Sequence, residues 1–421
     1  MSAKIQAIRG MEDVLPDQSP LWQVLEDRAR RVFEQYGYRN MRTPIVEPTS
    51  LFVRGLGEVT DIVEKEMYVF EDRNGESLAL RPEATAGIVR SAIEHSILYN
   101  GPMRVWTSGA IFRHERPQKG RHRQFHQLDV EALGFEGPDV DAEQIVMLAR
   151  LWKSLGIREA ELHINSIGDA ADRKAHREKL VGHFQKHEKL LDEDARRRLH
   201  TNPLRILDSK NPAMQPMIEE APRLLDHLGE GAAAHFEALK VLLEEAGLAY
   251  RVNARLVRGL DYYNRTVFEW ISPRIGAQST LAGGGRYDAL FAQLGGKATA
   301  ACGFGMGIER VLLALEAAGV EASFEPDVFI VHAGEAAEIA AWKTSEKLRD
   351  AGLSVVLGAG GSFKSQMKKA DASGARYAVI LGEDEVSAEK LTVKPLRGEG
   401  NQESFALADA IEHIRPSQQT R

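Results

Sequence analysis

Residues 104–113 and 123–133 both read as extended, largely apolar strands, and they bracket the basic segment HERPQKGRH at 114–122. A hairpin that long commits the chain around it to an antiparallel sheet, because strands joined by one short connection run in opposite directions. MYVFEDRNGESLAL (67–80) adds a second hairpin signal, two apolar runs about Asn74-Gly75. In TVFEWIS (266–272), Thr266, Phe268 and Trp270 face one way and Val267, Glu269 and Ile271 the other, the period of a strand. YRNMRTPIVEP (38–48) is punctuated by proline, which predicts an extended strand ending near Pro44. Ahead of it, Leu21, Val24, Leu25, Val32, Phe33 and Tyr36 recur at helical spacing. That helix is expected to be capped by Ser19, to take Pro20 in its first turn and to stop at Gly37. GGGRYD (283–288) precedes a helix. GFGMGIERVLLAL (303–315) reads as a strand or turn running into a helix with Ile308, Val311, Leu312 and Leu315 on its apolar side.

Two stretches break this pattern. Between about 170 and 250, Lys, Arg, Glu and His dominate and helical spacing replaces alternation, which predicts an inserted helical domain. After Phe324-Glu325-Pro326, the apolar runs DVFIVHA, LSVVLG and YAVILGE alternate with helical stretches, the pattern of a small α/β domain with buried parallel strands. The expected fold class is therefore α+β: an antiparallel-sheet core over residues 1–325 carrying a helical insert, then an α/β domain over 326–421. A chain of 421 residues is also too long for one ordinary core.

The formal net charge of −7 argues against bulk, non-specific coating of nucleic acid. A polyanionic partner would have to be drawn to local basic patches, and its affinity would fall steeply with salt. No apolar run approaches the roughly 20 residues that span a bilayer, and the N-terminal MSAKIQAIRG has no apolar signal core, so a cytoplasmic protein without a membrane partner is expected. The single cysteine, Cys302, allows neither an internal disulfide nor a thiolate metal site and reads as a small buried apolar residue.

FRHERPQKGRHRQFHQLDVE (112–131) is the densest concentration of chemistry. Arg113, Arg116, Lys119, Arg121 and Arg123 place five cations on one hairpin, an arrangement suited to phosphate. Read alone, the segment is equally a solvated hairpin with ion pairs to Glu115 and Asp129. His122 and His126 stand four apart, but on a strand and without an intervening glutamate, so no metal site is expected there. His183 and His187 share the spacing on a helix crowded with lysine and glutamate, and read as a solvated face. In RPEATAG (81–87), Glu83 and Thr85 precede a helix, where a carboxylate suits either a substrate ammonium or a helix cap. LVRGLDYYNRTVFEW (256–270) gathers Arg258, Asp261, Tyr262, Tyr263 and Arg265 at a strand entry, which fits a small aromatic ligand or ordinary core packing. GxxxxGK[ST], a GxGxxG at a βα turn, and GxSxG are all absent. A nucleotide user built this way holds triphosphate with arginines on an antiparallel sheet, and Arg310 in GFGMGIERVL supplies a third.

YGYRNMRTPIVEP, FRHE…RHRQF and GFGMGIER resemble, in order, the three motifs of class II aminoacyl-tRNA synthetases. RGLDYYNRTVFEW and GGGRYD resemble stretches particular to the histidyl-tRNA synthetase family, and the likeness runs over nearly the whole chain. The resemblance implies a catalytic domain over 1–325, an anticodon-binding domain over 326–421, and a homodimer whose interface includes Pro44. It implies activation of L-histidine with Mg2+-ATP and transfer of histidine to tRNA(His), with no bound metal or prosthetic group belonging to the enzyme itself. Carried over residue by residue, it places Arg113 on the α-phosphate, Glu115 on the adenine amino group, Phe125 against adenine, and Arg121 and Arg310 on the outer phosphates. Glu83, Thr85 and Gln127 would hold the ammonium and polar backbone atoms of histidine. Glu131, Tyr262 and Tyr263 would face the imidazole, and Arg258 would bridge carboxylate and α-phosphate. Arg113 and Arg258 would be the catalytic pair, with Arg113 also contacting histidine. The family pattern has PEGT where this chain has Pro82-Glu83-Ala84-Thr85, which puts the ammonium pocket's backbone in question. Lys364, Lys368 and Lys369 in SFKSQMKKADASGA form a local basic patch. Two other readings compete: a non-catalytic regulatory relative that senses histidine, and a module that binds tRNA-like RNA without turnover.

Overall fold

The structure, a computed structural model, describes residues 4–57, 60–201, 203–207 and 209–415. It divides into two compact units, Met1–Glu321 and Ala322–Arg421.

In the first unit, α1 (Ser19–Gln35) buries Leu25, Ala29, Val32 and Phe33 along the expected stripe, and Gly37 closes it with φ +79°. Its start differs from expectation. Gln18 occupies the cap position, and Ser19 Oγ donates backwards to the Pro16 carbonyl at 3.3 Å instead of accepting from the first turn. The strand expected to end near Pro44 stops earlier, at Asn40, and a second short strand follows the proline. β1 (Arg39–Asn40) joins the main sheet and β2 (Val46–Pro48) a separate small one, with Pro44, which has no N–H to give a ladder, between them. After α2 (Thr49–Leu56), β3 (Tyr68–Glu71) and β4 (Ser77–Leu80) form the hairpin signalled by Asn74-Gly75. Gly75 takes φ +84°, and Asp72 Oδ1 accepts from the backbone of Asn74 and Glu76 at 2.8 and 2.9 Å.

α3 (Thr85–Glu94) is followed by the long hairpin of β5 (Met103–Phe112) and β6 (Gln124–Leu133), antiparallel from Met103↔Leu133 to Phe112↔Gln124. Then come α4 (Pro138–Leu155), β7 (Glu161–Ser166), and the helical stretch of α5 (Ala170–Lys186), α6 (Glu193–Thr201), α7 (Gln215–Glu219) and α8 (Glu230–Glu245). β8 (Arg251–Val252), β9 (Asn264–Ile271), β10 (Thr280–Arg286), α9 (Leu290–Gln293), β11 (Ala301–Gly307) and α10 (Ile308–Ala317) complete the unit. Among the described residues the main sheet has the order β1-β5-β6-β11-β10-β9-β7-β8, with antiparallel pairs throughout except at its two edges.

Strand alternation gives this sheet two different faces. Leu128, Val130, Phe268, Trp270, Phe304 and Met306 pack under α1, α4, α8 and α10 in one core. On the other face, Val267, Tyr262, Tyr263 and Tyr287 pack with α2, α3 and α9. Polar Gln127, Asp129 and Glu131 alternate with the first set along β6 and so also point to this second face. Within the 170–250 stretch, Leu180, Phe184, Leu199, Met214 and Met217 form a small core of their own, whereas α8 sends Phe236, Leu239 and Leu243 into the main core. The expectation that His183 lies on a solvated face is not met: it is half-buried, with Nε2 2.8 Å from the Met217 carbonyl oxygen. Cys302 is fully buried, beside Gln144.

The second unit contains β12 (Val328–His332), α11 (Glu335–Asp350), β13 (Val355–Leu357), α12 (Phe363–Ala372), β14 (Tyr377–Leu381), α13 (Glu383–Ser387), β15 (Leu391–Pro395), β16 (Glu403–Phe405) and α14 (Leu407–Ile414). Its sheet runs β13-β12-β14-β15-β16. The first three strands are parallel, as expected, and the last two add an antiparallel edge that the apolar runs did not signal. Lys364, Lys368 and Lys369 are exposed on α12.

Candidate active site

On the polar face of β6 the side chains need room, and the facing strand supplies it. Glu131 pairs with Gly303 and Asp129 with Gly305. A Cβ at Gly303 would stand 1.5 Å from Glu131 Oε2, so the apolar-glycine alternation of β11 is a steric requirement of the acidic pocket. Glu131 is 1% exposed. Thr85 donates to its Oε1 at 2.6 Å and Tyr287 donates to its Oε2. Burial holds its carboxyl well above the usual range even so. Tyr262 and Tyr263, both buried, close the pocket with ring centroids 4.7 Å apart, and burial pushes the Tyr263 phenol up to about 12.

Glu83 lies at the entrance to α3. Its two oxygens accept from the backbone N–H groups of Thr85 and Ala86 at 2.8 Å each, so the capping interaction is made by a carboxylate that is also buried beside the pocket. Ala84 has φ −102°, an ordinary conformation, so alanine in place of the family's glycine carries no backbone strain. Asp129 is 4% exposed among Glu83, Arg81 and Arg113, and burial, reinforced by Glu83, pushes its carboxyl up to about 8.

Next to this pocket is a cleft lined by Arg113, Glu115, Arg121, Phe125, Gln127, Arg258 and Arg310, which come from β6, the β5–β6 connection, the segment before β9 and α10. Arg113 donates from Nε to the Pro82 carbonyl at 2.8 Å, and its guanidinium carbon lies 5.4 Å from the Phe125 ring centroid. Arg258 donates to Glu269 Oε1 at 2.6 Å, packs 5.6 Å from the Tyr263 ring and lies above Gly283, where a Cβ would be 2.5 Å from its Nη1. Arg310 donates to the carbonyls of Gly120 at 3.0 Å and Thr280 at 3.2 Å. Burial lowers the pKa of Arg113 and of Arg310, and the neighbouring Arg113 and Arg121 charges lower that of Arg310 further. Like charges gathered out of water are the electrostatic signature of an anion site. Arg121 pairs with Glu115 and lies 3.7 Å from Glu66.

The residues that the family resemblance assigned to nucleotide and amino acid thus lie on this cleft or in the pocket beside it, whereas Asp261 lines a different hollow and Arg265 pairs with Asp169. Of the other hairpin cations, Arg116 and Arg123 line a separate hollow with Arg9 and His114. Of the ion pairs a solvated hairpin would make, Arg121 does pair with Glu115, whereas Asp129 is buried among Glu83, Arg81 and Arg113. His126 binds Glu309 through both its backbone N–H and its ring nitrogen at 2.9 Å, and among the described residues no three His, Cys, Asp or Glu side chains form a metal-holding group. Sequence reasoning did not single out Tyr287, Glu269 or Arg81. Tyr287 sits inside GGGRYD, and its place directly after a glycine run was the available signal.

The family model described as Histidyl-tRNA synthetase matches residues 10–311, and one described as Anticodon binding domain matches 327–416. A relative from Methylobacillus flagellatus, named histidine–tRNA ligase, is 61% identical over 417 residues, covering 98% of this chain and 100% of its own. One of the same name from Nitrosomonas europaea is 59% identical over 413 residues, covering 97% and 98%. The crystal structure of apo S. aureus histidyl-tRNA synthetase superposes with a TM-score of 0.82 at 37% identity, covering 98% of this chain and 100% of that one. A Bacillus halodurans structure described as an ATP phosphoribosyltransferase regulatory subunit/histidyl-tRNA synthetase shares the fold, with a TM-score of 0.65 at 22% identity. Matched over most of its length by that family model and by relatives of that identity, the chain belongs to the histidyl-tRNA synthetase family.

Proposed function

We propose that the chain is a working histidine–tRNA ligase, which joins histidine to AMP and then passes it to the 3′ end of tRNA(His). The observation that carries this reading is the convergence of Arg113, Arg258 and Arg310 on one cleft beside the buried Glu83, Glu131 and tyrosine pocket. In the first step a histidine carboxylate oxygen attacks the α-phosphorus of ATP, bound as its Mg2+ complex, and the bond to the bridging oxygen breaks to release pyrophosphate. Arg113 and Arg258 neutralise the charge on the α-phosphoryl oxygens while Arg121 and Arg310 hold the outer phosphates. Phe125 stacks on adenine and Glu115 accepts from its amino group. In the second step the terminal ribose hydroxyl of the tRNA attacks the adenylate carbonyl and AMP leaves.

Selectivity follows from the pocket. Glu83, Thr85 and Gln127 take the ammonium, and the imidazole N–H meets Glu131 and the Tyr262-Tyr263 pair. An apolar isostere of histidine would leave those buried polar atoms unpaired, a loss large enough to discriminate without an editing domain. The exposed apolar Ile45 just before β2, Val46 on β2, and Val69 and Phe70 on β3 support a dimer built on the first motif. No helix among the described residues is long and apolar enough to cross a membrane, which fits the cytoplasmic compartment we assign. α12 presents its three lysines to the tRNA anticodon arm.

The regulatory reading is disfavoured because the motif arginines and the second unit are both kept. Histidine-dependent exchange of labelled pyrophosphate into ATP is the test. A ligase shows it, whereas a histidine sensor or a passive RNA-binding module shows none.

A further inference from the structure

The helical insert is joined to the main sheet at two chain crossings, and one pair of side chains ties them to the histidine pocket. At the first crossing Asp169 directly precedes α5, and Asp172 Oδ2 accepts from its backbone N–H at 3.0 Å. At the second, Asp172 Oδ1 accepts from the backbone of Gly229 at 3.0 Å, so one carboxylate staples entry to exit. Arg265, two residues after Tyr263, then grips Asp169 with both arms of its guanidinium, at 2.8 and 3.1 Å. Its φ is +48°, a left-handed conformation that a side chain of this size adopts only when its surroundings impose it. Those surroundings are on the same strip of chain: Arg265 N–H donates to the Gly168 carbonyl, and its own carbonyl accepts from Ile167. The bend falls on the second residue of β9, just past the Tyr262-Tyr263 loop, and the adjacent Asn264 is held by Asp288 at 2.9 Å, directly after Tyr287.

We propose that Asp169 and Arg265 form a positioning joint that couples the orientation of the helical insert to the shape of the histidine pocket. The inference rests on the reading that Tyr262 and Tyr263 bind histidine. Neither residue of the pair touches the reacting atoms. They fix the exit of the loop that does, and because the contact is to the first residues of the insert, a tilt of α5 moves the loop and histidine binding restrains α5 in return.

Two substitutions break the contact while sparing its surroundings. Asp169→Ser retains a side chain able to cap α5, and Arg265→Gly retains a residue at ease with positive φ. If the untied loop is competent about a tenth of the time, KM for histidine in pyrophosphate exchange rises about tenfold. KM for ATP should stay within about twofold, and the double variant should be no worse than either single one. Histidine should slow amide exchange in the first turn of α5 in the parent and not in the variants. An unchanged histidine KM, equal rises in both KM values, or additive losses would overturn the joint. Tyr263→Phe tests the underlying reading separately. No effect of that change on histidine KM sinks the pocket assignment, whereas an effect there with none at Asp169 or Arg265 refutes the joint alone.

Discussion

Gly283→Ala perturbs the reaction without altering any group that takes part in it. The added Cβ would stand 2.5 Å from Arg258 Nη1 and 3.0 Å from the guanidinium carbon. Non-bonded contact needs about 3.5 Å, so the guanidinium must withdraw by about 1 Å. Glu269 opposes the movement, because it holds that same Nη1 at 2.6 Å. A misplacement of that size costs about 100-fold in rate, or ~2.7 kcal/mol in the barrier. Histidine-dependent pyrophosphate exchange measures it, and thermal unfolding, expected to shift by no more than a few degrees, shows that the fold persists. Gly284→Ala is the contrast. There the Cβ would meet the Gly303 carbonyl oxygen at 2.0 Å, which is backbone and cannot swing aside, so the sheet itself should fail. Exchange within about twofold of the parent in a folded Gly283→Ala protein would refute the claim that Arg258 must occupy this spot.

Arg258→Ala should abolish adenylate formation and leave tRNA affinity nearly intact, as read by exchange and by filter binding; the reverse pattern would contradict the assignment. Asp129, whose carboxyl is pushed up to about 8 from an ordinary 3.8, keeps a proton in the folded protein that the unfolded chain releases between about pH 4 and 8. Stability therefore falls as pH rises through that window, and Asp129→Asn should flatten the fall; a parent Tm that rises from pH 6 to 8, or one that falls equally in parent and variant, would speak against it. Replacing Lys364, Lys368 and Lys369 with alanine should weaken tRNA binding and reduce its salt dependence by up to about three phosphate contacts, with exchange unchanged.

The parts of the fold legible in the sequence are those set by local chemistry. Asn74-Gly75 specified a turn that only such residues make, and the two apolar runs around the 114–122 tip had to be a hairpin. The stop at Asn40 was not legible, because a strand two residues long is defined by the partner it finds, and β1 finds β5 from more than 60 positions away. GGGR becoming the strand β10 runs against glycine's weak strand preference, and the reason is non-local: its neighbours are the Phe304 side chain, the Gly303 and Thr266 carbonyls and the Arg258 guanidinium. The membership of α8 in the main core rather than the insert also depends on tertiary packing that its helical period cannot reveal. For the site, the arginines were visible as a surplus of charge. The aim of the Tyr287 hydroxyl at Glu131 was not, because it depends on the register of strands far apart in the chain.

A crystal structure with a non-hydrolysable histidyl-adenylate analogue tests the central claim most directly. Guanidinium nitrogens of Arg113 and Arg258 should lie within about 3 Å of the α-phosphate oxygens, and Glu131 within hydrogen-bond reach of the imidazole. An analogue bound with its phosphate away from both arginines, or its imidazole outside the Glu131 pocket, would contradict it.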